Sequence, residues 1–190
     1  MKIGLYGGTF DPIHHGHLIL ARQTVEQLGL DRLVFIPAAQ SPFKTGQALT
    51  PGQHRFEMVK LAIEGETHFA ADDVEIERTG PSYSIDTVDI YRQAFPGADL
   101  FWLIGEDHVP SLPKWHRIDE LKNRVRFVVL SRADWADAGP YPVIPRRIDI
   151  SATEIRNRVA NDLPITYLVP ERVLRYLQAV KLYRGEEHRS

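Results

Sequence analysis

The chain has 190 residues, of which 43% are apolar and 25% are charged, and its formal net charge is −2. This length and composition are typical of one globular domain with a substantial core, and the charge disfavours nucleic acid as a partner. The chain has no cysteine, which excludes disulfides and thiolate chemistry and fits a reducing compartment. No apolar run approaches the ~20 residues that span a bilayer. We therefore expect a cytoplasmic protein without a membrane partner.

The first segment predicts a strand, a glycine-rich turn and a helix. Residues 2–6 are mostly apolar and indicate a buried strand, and Gly7 and Gly8 begin a turn. A helix is expected near His15, because apolar residues then recur with helical spacing. A turn of this kind directs backbone N–H groups and a positive helix end towards one point, which suits a phosphate. His14 and His17 are three residues apart and face the same side of the first helical turn.

Taken alone, the histidines allow two other interpretations. They can be surface residues of an ordinary turn. His14, His15 and His17 can also be metal ligands, although no cysteine or nearby pair of carboxylates completes such a set. The residues by themselves do not decide between these alternatives and the phosphate site.

The following pattern predicts a parallel α/β sheet. A strand over 32–37 completes a strand–helix–strand unit, which favours a parallel pair with a right-handed crossover. A polar loop follows over 38–50, and a helix is expected to begin with Thr50 as its cap. Arg55 lies beside the apolar stripe of this helix and is compatible with a surface cation. Further strands are expected over 71–78, 99–104, 125–130, 143–144 and 148–150, with helices from about residues 82, 151 and 168.

Two more places carry candidate binding groups. Ser151, Ala152, Thr153 and Glu154 form a capping box before a helix that carries Arg156, which is either a second phosphate site or an ordinary capped helix with a surface arginine. The strand over 99–104 is followed by Asp107, and ligands of open α/β sheets bind beyond such strand ends. Asp107 can hold a ribose hydroxyl or a metal-bound phosphate there.

The complete motifs resemble those of one family. Gly-Gly-Thr-Phe-Asp-Pro-Ile-His-x-Gly-His over 7–17 resembles the HxGH nucleotidyltransferase superfamily, and most closely the bacterial nicotinate mononucleotide adenylyltransferases. The match continues through Ile-Pro-x4-Pro-x-Lys, which ends at Lys44, and through Ser-Tyr-x-x-Asp-Thr over 82–87. Gly105 to Asp107, Leu-x-x-Trp ending at Trp115 and Ile-Ser-Ala-Thr-x-Ile-Arg over 150–156 extend the match, which covers about residues 2–183.

The resemblance implies a Rossmann-like, doubly wound parallel sheet of about five to six strands with helices on both faces. It implies that His14, His17 and Arg156 act in catalysis. It implies an ATP site that contains these three residues together with Gly7, Gly8, Thr9, Phe10, Asp107, Ser131, Ile150 and Ser151. It implies a substrate site formed by Lys44, Ser82, Tyr83, Ser84, Asp107, Trp115 and His116. The family also places an arginine near the phosphates at the position of Arg55.

The activity implied by the resemblance is adenylyl transfer from ATP to nicotinate mononucleotide, with release of pyrophosphate. ATP and nicotinate mononucleotide are the expected partners, and Mg²⁺ is expected to accompany ATP without a protein-bound cofactor or metal. One alternative is pantetheine-phosphate adenylyltransferase, which typically has threonine where His14 stands and lacks the Ser-Tyr-x-x-Asp-Thr and Leu-x-x-Trp features. Another is a non-catalytic nucleotide sensor on the same fold.

Three features of the chain complete these expectations. Residues 1–183 are expected to form one nucleotidyltransferase domain, and residues 184–190 a polar tail. Ala152 stands where the superfamily usually has serine, which removes one hydroxyl but leaves the backbone N–H. The sequence does not distinguish a monomer from a homo-oligomer.

Overall fold

The computed structural model describes residues 1–39, 49–78, 80–131 and 139–184. The strands in these ranges are β1 (Lys2–Gly8), β2 (Arg32–Pro37), β3 (Phe69–Ala71), β4 (Asp99–Gly105), β5 (Arg126–Ser131) and β6 (Val143–Pro145). The helices are α1 (His15–Leu28), α2 (Gly52–Ile63), α3 (Val74–Glu77), α4 (Ser84–Ala94), α5 (Ile118–Arg124), α6 (Ala152–Ala160) and α7 (Glu171–Val180), and a 3₁₀ helix covers Glu106–Lys114. In this part of the chain no helix is long and apolar enough to cross a membrane.

The strands form one parallel sheet in the order β3-β2-β1-β4-β5-β6. β1 lies at the centre, with Tyr6 opposite Phe35 of β2 and Leu103 of β4. The strand order reverses between β1 and β4, which is the point where ligands of doubly wound sheets bind. The predicted doubly wound α/β fold is therefore confirmed.

Each face of the sheet has its own apolar core, because successive side chains of a strand point to opposite faces. Tyr6, Phe35 and Leu103 face the cluster that is covered by α1, α2, α6 and α7. Leu5 and Trp102 face the second cluster, which α4 and α5 cover. The helices on both faces leave the carboxyl ends of the central strands as the edge at which a site can form.

Three local predictions are wrong. The strand expected over 71–78 ends at Ala71 and is followed by the short helix α3, because the Asp72 carboxylate accepts a hydrogen bond from the Val74 N–H and bends the backbone away from the sheet. Residues 148–150 are not a strand, since the sheet ends at β6. The apolar spacing of the last helix predicts that Val173, Leu177 and Val180 all point inwards, but Val180 is exposed at the end of α7.

Arg55 is the largest side chain that is fully buried in the described part of the chain, with 1% of its surface exposed, so it is not a surface cation. Its Nε donates to the Thr50 carbonyl at 2.8 Å, its Nη1 to the Thr9 carbonyl at 2.7 Å and its Nη2 to the Ala39 carbonyl at 3.3 Å. Burial lowers the pKa of Arg55, and the nearby Asp11 opposes this shift. The guanidinium thus joins α2 to the segments that follow β1 and β2.

The same contact corrects the predicted start of α2. Thr50 was expected to cap the helix, but α2 begins at Gly52 and no side chain caps it. The Thr50 carbonyl is used by Arg55, and the Thr50 N–H donates to the Asp11 carboxylate at 3.2 Å. The backbone of Thr50 is therefore bonded to the first turn of the chain as well as to α2.

We predict that Arg55→Met lowers the free energy of unfolding by on the order of 3 kcal/mol, because it leaves buried carbonyl groups without their donor. Urea unfolding measures this change. Lys60→Met is the matched control, since Lys60 lies on the exposed side of the same helix and its loss is expected to cost only about 0.5 kcal/mol or less. Equal effects of the two substitutions would contradict the role assigned to the Arg55 guanidinium.

Candidate functional site

The glycine-rich turn over residues 7–17 begins with Gly7 and Gly8, which the structure places at the end of β1 and not, as expected, in a turn. Close approaches exclude larger side chains at both glycines. A Cβ on Gly8 would lie 2.7 Å from the Phe10 ring, and a Cβ on Gly7 would lie 3.1 Å from Trp102. Phe10 has a φ of 47° and packs edge-on against Tyr6 and His17, with only 2% of its surface exposed. Phe10, expected at the ATP site, can therefore meet a ligand mainly through its backbone.

The two histidines lie together at the start of α1. Their rings are stacked, with 3.7 Å between centroids and 27° between planes. The backbone N–H of His14 donates to Nδ1 of His17 at 3.2 Å. Because Nδ1 is the acceptor, the ring proton of neutral His17 is on Nε2, the nitrogen that can donate to a phosphate oxygen. His14 is fully buried beneath this arrangement, whereas His17 is half-buried.

The start of α6 meets the same turn. The Ser151 hydroxyl accepts from the Glu154 N–H at 3.1 Å, so Ser151 caps α6 as the sequence predicts. Arg156, on the first turns of α6, donates through Nη1 to the carbonyl of Asp11 at 2.7 Å and through Nη2 to Thr153 Oγ1 at 3.3 Å. The structure thus brings Arg156 and the His14–His17 pair to opposite ends of one short turn.

A cavity of about 330 Å³ opens beside this turn at the junction of β1 and β4. The wall nearest the sheet is formed by Gly7, Gly8 and Thr9. The other side carries the residues expected to bind the acceptor, namely Ser82, Tyr83, Ser84, Trp115 and His116. The structure therefore brings these five residues and part of the glycine-rich turn into one cavity.

The beginning of α4 presents backbone donors to this cavity. The cap position is Tyr83 and no side chain caps the helix, so neither Ser82 nor Ser84 acts as its cap. Ser82 Oγ instead accepts from the Ala39 N–H at 3.2 Å. The first N–H groups of α4 point towards its N-terminal end, where a carboxylate is stabilised by the helix dipole.

Aromatic rings form the opposite wall of the cavity. The Tyr83 and His116 rings lie 4.4 Å apart with 32° between their planes. Trp115 is half-buried, packs edge-on against Phe127, and donates from Nε1 to Ser111 Oγ at 3.4 Å. The indole is therefore held in place while part of its surface faces the cavity.

Three residues that were expected at the ATP site do not line this cavity. Asp107 follows β4, but its carboxylate is 79% exposed and does not line the cavity. The Ser131 hydroxyl is buried and donates to the Glu106 carboxylate at 2.6 Å, and Ile150 packs against the apolar core. Lys44 lies outside the described residues.

Four functional candidates were missed from the sequence, or were assigned without their actual contacts: Asp11, Arg55, Glu75 and Tyr183. Glu75 is buried in the cavity wall and accepts from Thr87 Oγ1 at 2.8 Å, and burial raises its pKa. No local spacing distinguishes a buried charged residue from a surface one, because the partners are distant in sequence.

Among the described residues, no three histidine, aspartate or glutamate side chains are placed to hold a metal ion.

Comparisons with known proteins agree with this geometry. A family model described as cytidylyltransferase-like matches residues 5–158. A nicotinate-nucleotide adenylyltransferase of Bacillus subtilis (strain 168) is 41% identical over 187 residues, which cover 97% of this chain and 99% of that protein. A probable nicotinate-nucleotide adenylyltransferase of Bacillus pumilus (strain SAFR-032) is 42% identical over the same shares of the two chains.

The fold is also that of a solved structure, the nicotinic acid mononucleotide adenylyltransferase of Plasmodium falciparum complexed with NaAD. The TM-score is 0.80 at 18% sequence identity, and the match covers 96% of this chain and 97% of that one. The structural match supports the fold, and the identities of about 40% over nearly the whole length establish the closer relationship. The chain belongs to the nicotinate-nucleotide adenylyltransferases, a family of nucleotidyltransferases with a cytidylyltransferase-like domain.

Proposed function

We propose that this protein transfers the adenylyl group of ATP to nicotinate mononucleotide, giving nicotinate adenine dinucleotide and pyrophosphate in the biosynthesis of NAD. The observation that carries this proposal is the position of the turn over residues 7–17. Its first residues, Gly7 to Thr9, line the acceptor cavity, and its later residues bond to Arg156 through the Asp11 carbonyl and carry the stacked histidines. A triphosphate and an acceptor can therefore meet at one backbone segment.

The reaction needs positioning more than proton transfer. The acceptor phosphate has a second pKa of about 6, so at neutral pH it is already a nucleophile and no general base is required. Its oxygen attacks the α-phosphorus of ATP, and the bond to the leaving pyrophosphate breaks in line with the attack. Holding both groups in this geometry supplies much of the rate enhancement.

His17 and Arg156 stabilise the charge that develops during transfer. The Nε2–H of His17 donates to a phosphate oxygen, and Arg156 offers a planar guanidinium that can bind two oxygens. Gly7 to Thr9 bring backbone N–H groups close to the phosphates without obstruction by side chains. His14 is covered in this structure, so any direct contact with a phosphate requires its ring to become accessible when ATP binds.

Mg²⁺ enters with ATP as part of the substrate and reduces the repulsion between the triphosphate and the acceptor phosphate. The exposed carboxylate of Asp107 after β4 can accept from a ribose hydroxyl or from water bound to that ion. By resemblance, Lys44 contacts a phosphate from the loop after β2. The proposal requires no protein-bound cofactor.

The acceptor ring is proposed to stack on Trp115. The pyridine ring is flat and cationic once it carries the ribose, and an indole face attracts a cation by about 0.5–2 kcal/mol. The acceptor carboxylate is then proposed to meet the N–H groups at the start of α4 and the backbone near His116. Both assignments agree with the position of these residues in one cavity.

We predict that His17→Ala lowers kcat by roughly 10²–10³-fold, because it removes a donor to the charge formed in the transition state. Steady-state release of pyrophosphate from ATP and nicotinate mononucleotide measures the effect. His15→Ala is the control, since His15 is the neighbouring histidine and is not assigned a phosphate contact. Near-normal turnover of His17→Ala would contradict the assigned role.

Arg156→Ala is expected to raise the KM for ATP and to lower kcat, because the guanidinium is fixed on α6 beside the turn. Lys44→Ala is expected to be milder, since a long side chain in the loop that the sequence predicts over 38–50 is less preorganised than one on a helix. Arg158→Ala on the same helix serves as the control, because Arg158 Nε is bonded to the Pro164 carbonyl instead. A larger loss in Lys44→Ala than in Arg156→Ala would show that the assignment is wrong.

Nicotinate mononucleotide should be preferred to nicotinamide mononucleotide by about 100-fold or more in kcat/KM. The amide has only one oxygen for the N–H donors of the site, so its NH₂ group would face a donor that is left without an acceptor. Trp115→Ala should weaken both acceptors by a similar factor, since the ring stack does not distinguish acid from amide. Assays with both acceptors and with phosphopantetheine also separate this activity from the related adenylyltransferases. Comparable values for the two mononucleotides would exclude the proposed carboxylate site.

A further inference from the structure

The segment after α7 turns back towards the glycine-rich turn. Lys181 has a φ of 55° and Tyr183 a φ of 63°, so two residues close together adopt the left-handed conformation that side chains other than glycine disfavour. This conformation costs on the order of 1 kcal/mol for each such residue, so other contacts must stabilise it. The Tyr183 side chain is hydrogen-bonded to Asp11 and to the side chain of Thr50.

The Tyr183 hydroxyl donates to Oδ1 of Asp11 at 2.5 Å. The second carboxylate oxygen of Asp11 accepts from the Thr50 N–H at 3.2 Å, and only 4% of the Asp11 surface is exposed. Burial and the Asp11 charge raise the pKa of Tyr183, so the phenol keeps its proton and remains a donor. A buried carboxylate with these donors is fixed in one orientation.

Asp11 transmits this constraint to the phosphate side of the site. Its carbonyl accepts from Arg156 Nη1 at 2.7 Å, and its charge attracts the Arg55 guanidinium, which also holds the Thr9 carbonyl. A displacement of Asp11 therefore moves the carbonyl oxygen to which Arg156 donates. Neither Asp11 nor Tyr183 lines the acceptor cavity.

We propose that Tyr183 is a positioning residue for the ATP side of the site, which acts by holding Asp11 in the orientation that places Arg156. This inference rests on the proposed function for the identity of the nucleotide. It assigns to the segment after α7 an effect on ATP binding that is separate from acceptor binding. The part of the turn that lines the acceptor cavity, Gly7 to Thr9, is held by β1 and by the bond from Arg55 to the Thr9 carbonyl, so the cavity keeps its shape when the phenol hydroxyl is removed.

The test compares Tyr183→Phe with Tyr176→Phe, which removes the same atom from a tyrosine of α7. The Tyr176 hydroxyl is bonded to His54 Nδ1 at 2.7 Å and has no contact with Asp11 among the described residues. Calorimetry gives the Kd of α,β-methylene ATP with Mg²⁺, a measurement that does not need turnover. Steady-state kinetics gives the KM of each substrate, and thermal unfolding gives the Tm of both variants.

Tyr183→Phe should weaken binding of the analogue by about tenfold, in keeping with the loss of a hydrogen bond to a charged group. In Tyr183→Phe, the KM for nicotinate mononucleotide should stay within about twofold of the value for the unmutated protein. In Tyr176→Phe, the affinity for the analogue should also stay within about twofold. An unchanged analogue affinity in Tyr183→Phe overturns the inference, and so does an equal loss for both substrates, which indicates a general effect on stability.

The same measurements separate this inference from the proposed function. If the unmutated protein binds the analogue but does not adenylylate nicotinate mononucleotide, the proposed function fails, while the two analogue affinities still decide the role of Tyr183. If the unmutated protein does not bind the analogue, both proposals are overturned.

Discussion

The site depends on a buried positive charge that holds three backbone carbonyls in place. The Arg55 guanidinium bonds to the carbonyls of Thr9, Ala39 and Thr50, which belong to segments that are far apart in sequence. Carbonyl groups at strand ends otherwise need water or another donor. Arg55 supplies those donors from the core and so fixes the segment that follows β1 at the Thr9 carbonyl.

Asp11 complements this charge from the other side of the turn. Its carboxylate meets Thr50 and Tyr183, and its carbonyl meets Arg156. A polar network of this kind is stabilising when all its members have partners and costly when one is removed. The network therefore gives the protein a rigid turn at the cost of sensitivity to single substitutions around it.

The sequence predicted the parts of the fold that depend on local pattern. β2 has the expected bounds, α1 begins at His15 as expected, and Gly29 ends α1 with a φ of 59°. Errors occurred where a side chain competes with the backbone pattern, as Asp72 does after β3, or where a partner is distant, as for the start of α2.

At the candidate site, too, the sequence predicted what depends on local spacing and missed what depends on distant contacts. Motif spacing led to the residues that now surround the turn and the cavity, because those residues share a strand end or a helix start. The burial of Arg55 and Glu75 could not be read from spacing, since it depends on contacts that only the folded chain provides. The exposure of Asp107 has the same origin, because a local motif does not determine which way a side chain turns after β4.

The long separation between Asp11 and Tyr183 affects when the protein becomes competent during synthesis. The two residues are 172 positions apart, and β1 pairs with β4 only after the intervening helices have been made. Contacts between residues this far apart in sequence form slowly. A nascent chain that stalls before α7 is complete can therefore have most of the sheet assembled while the proposed nucleotide site is still unformed.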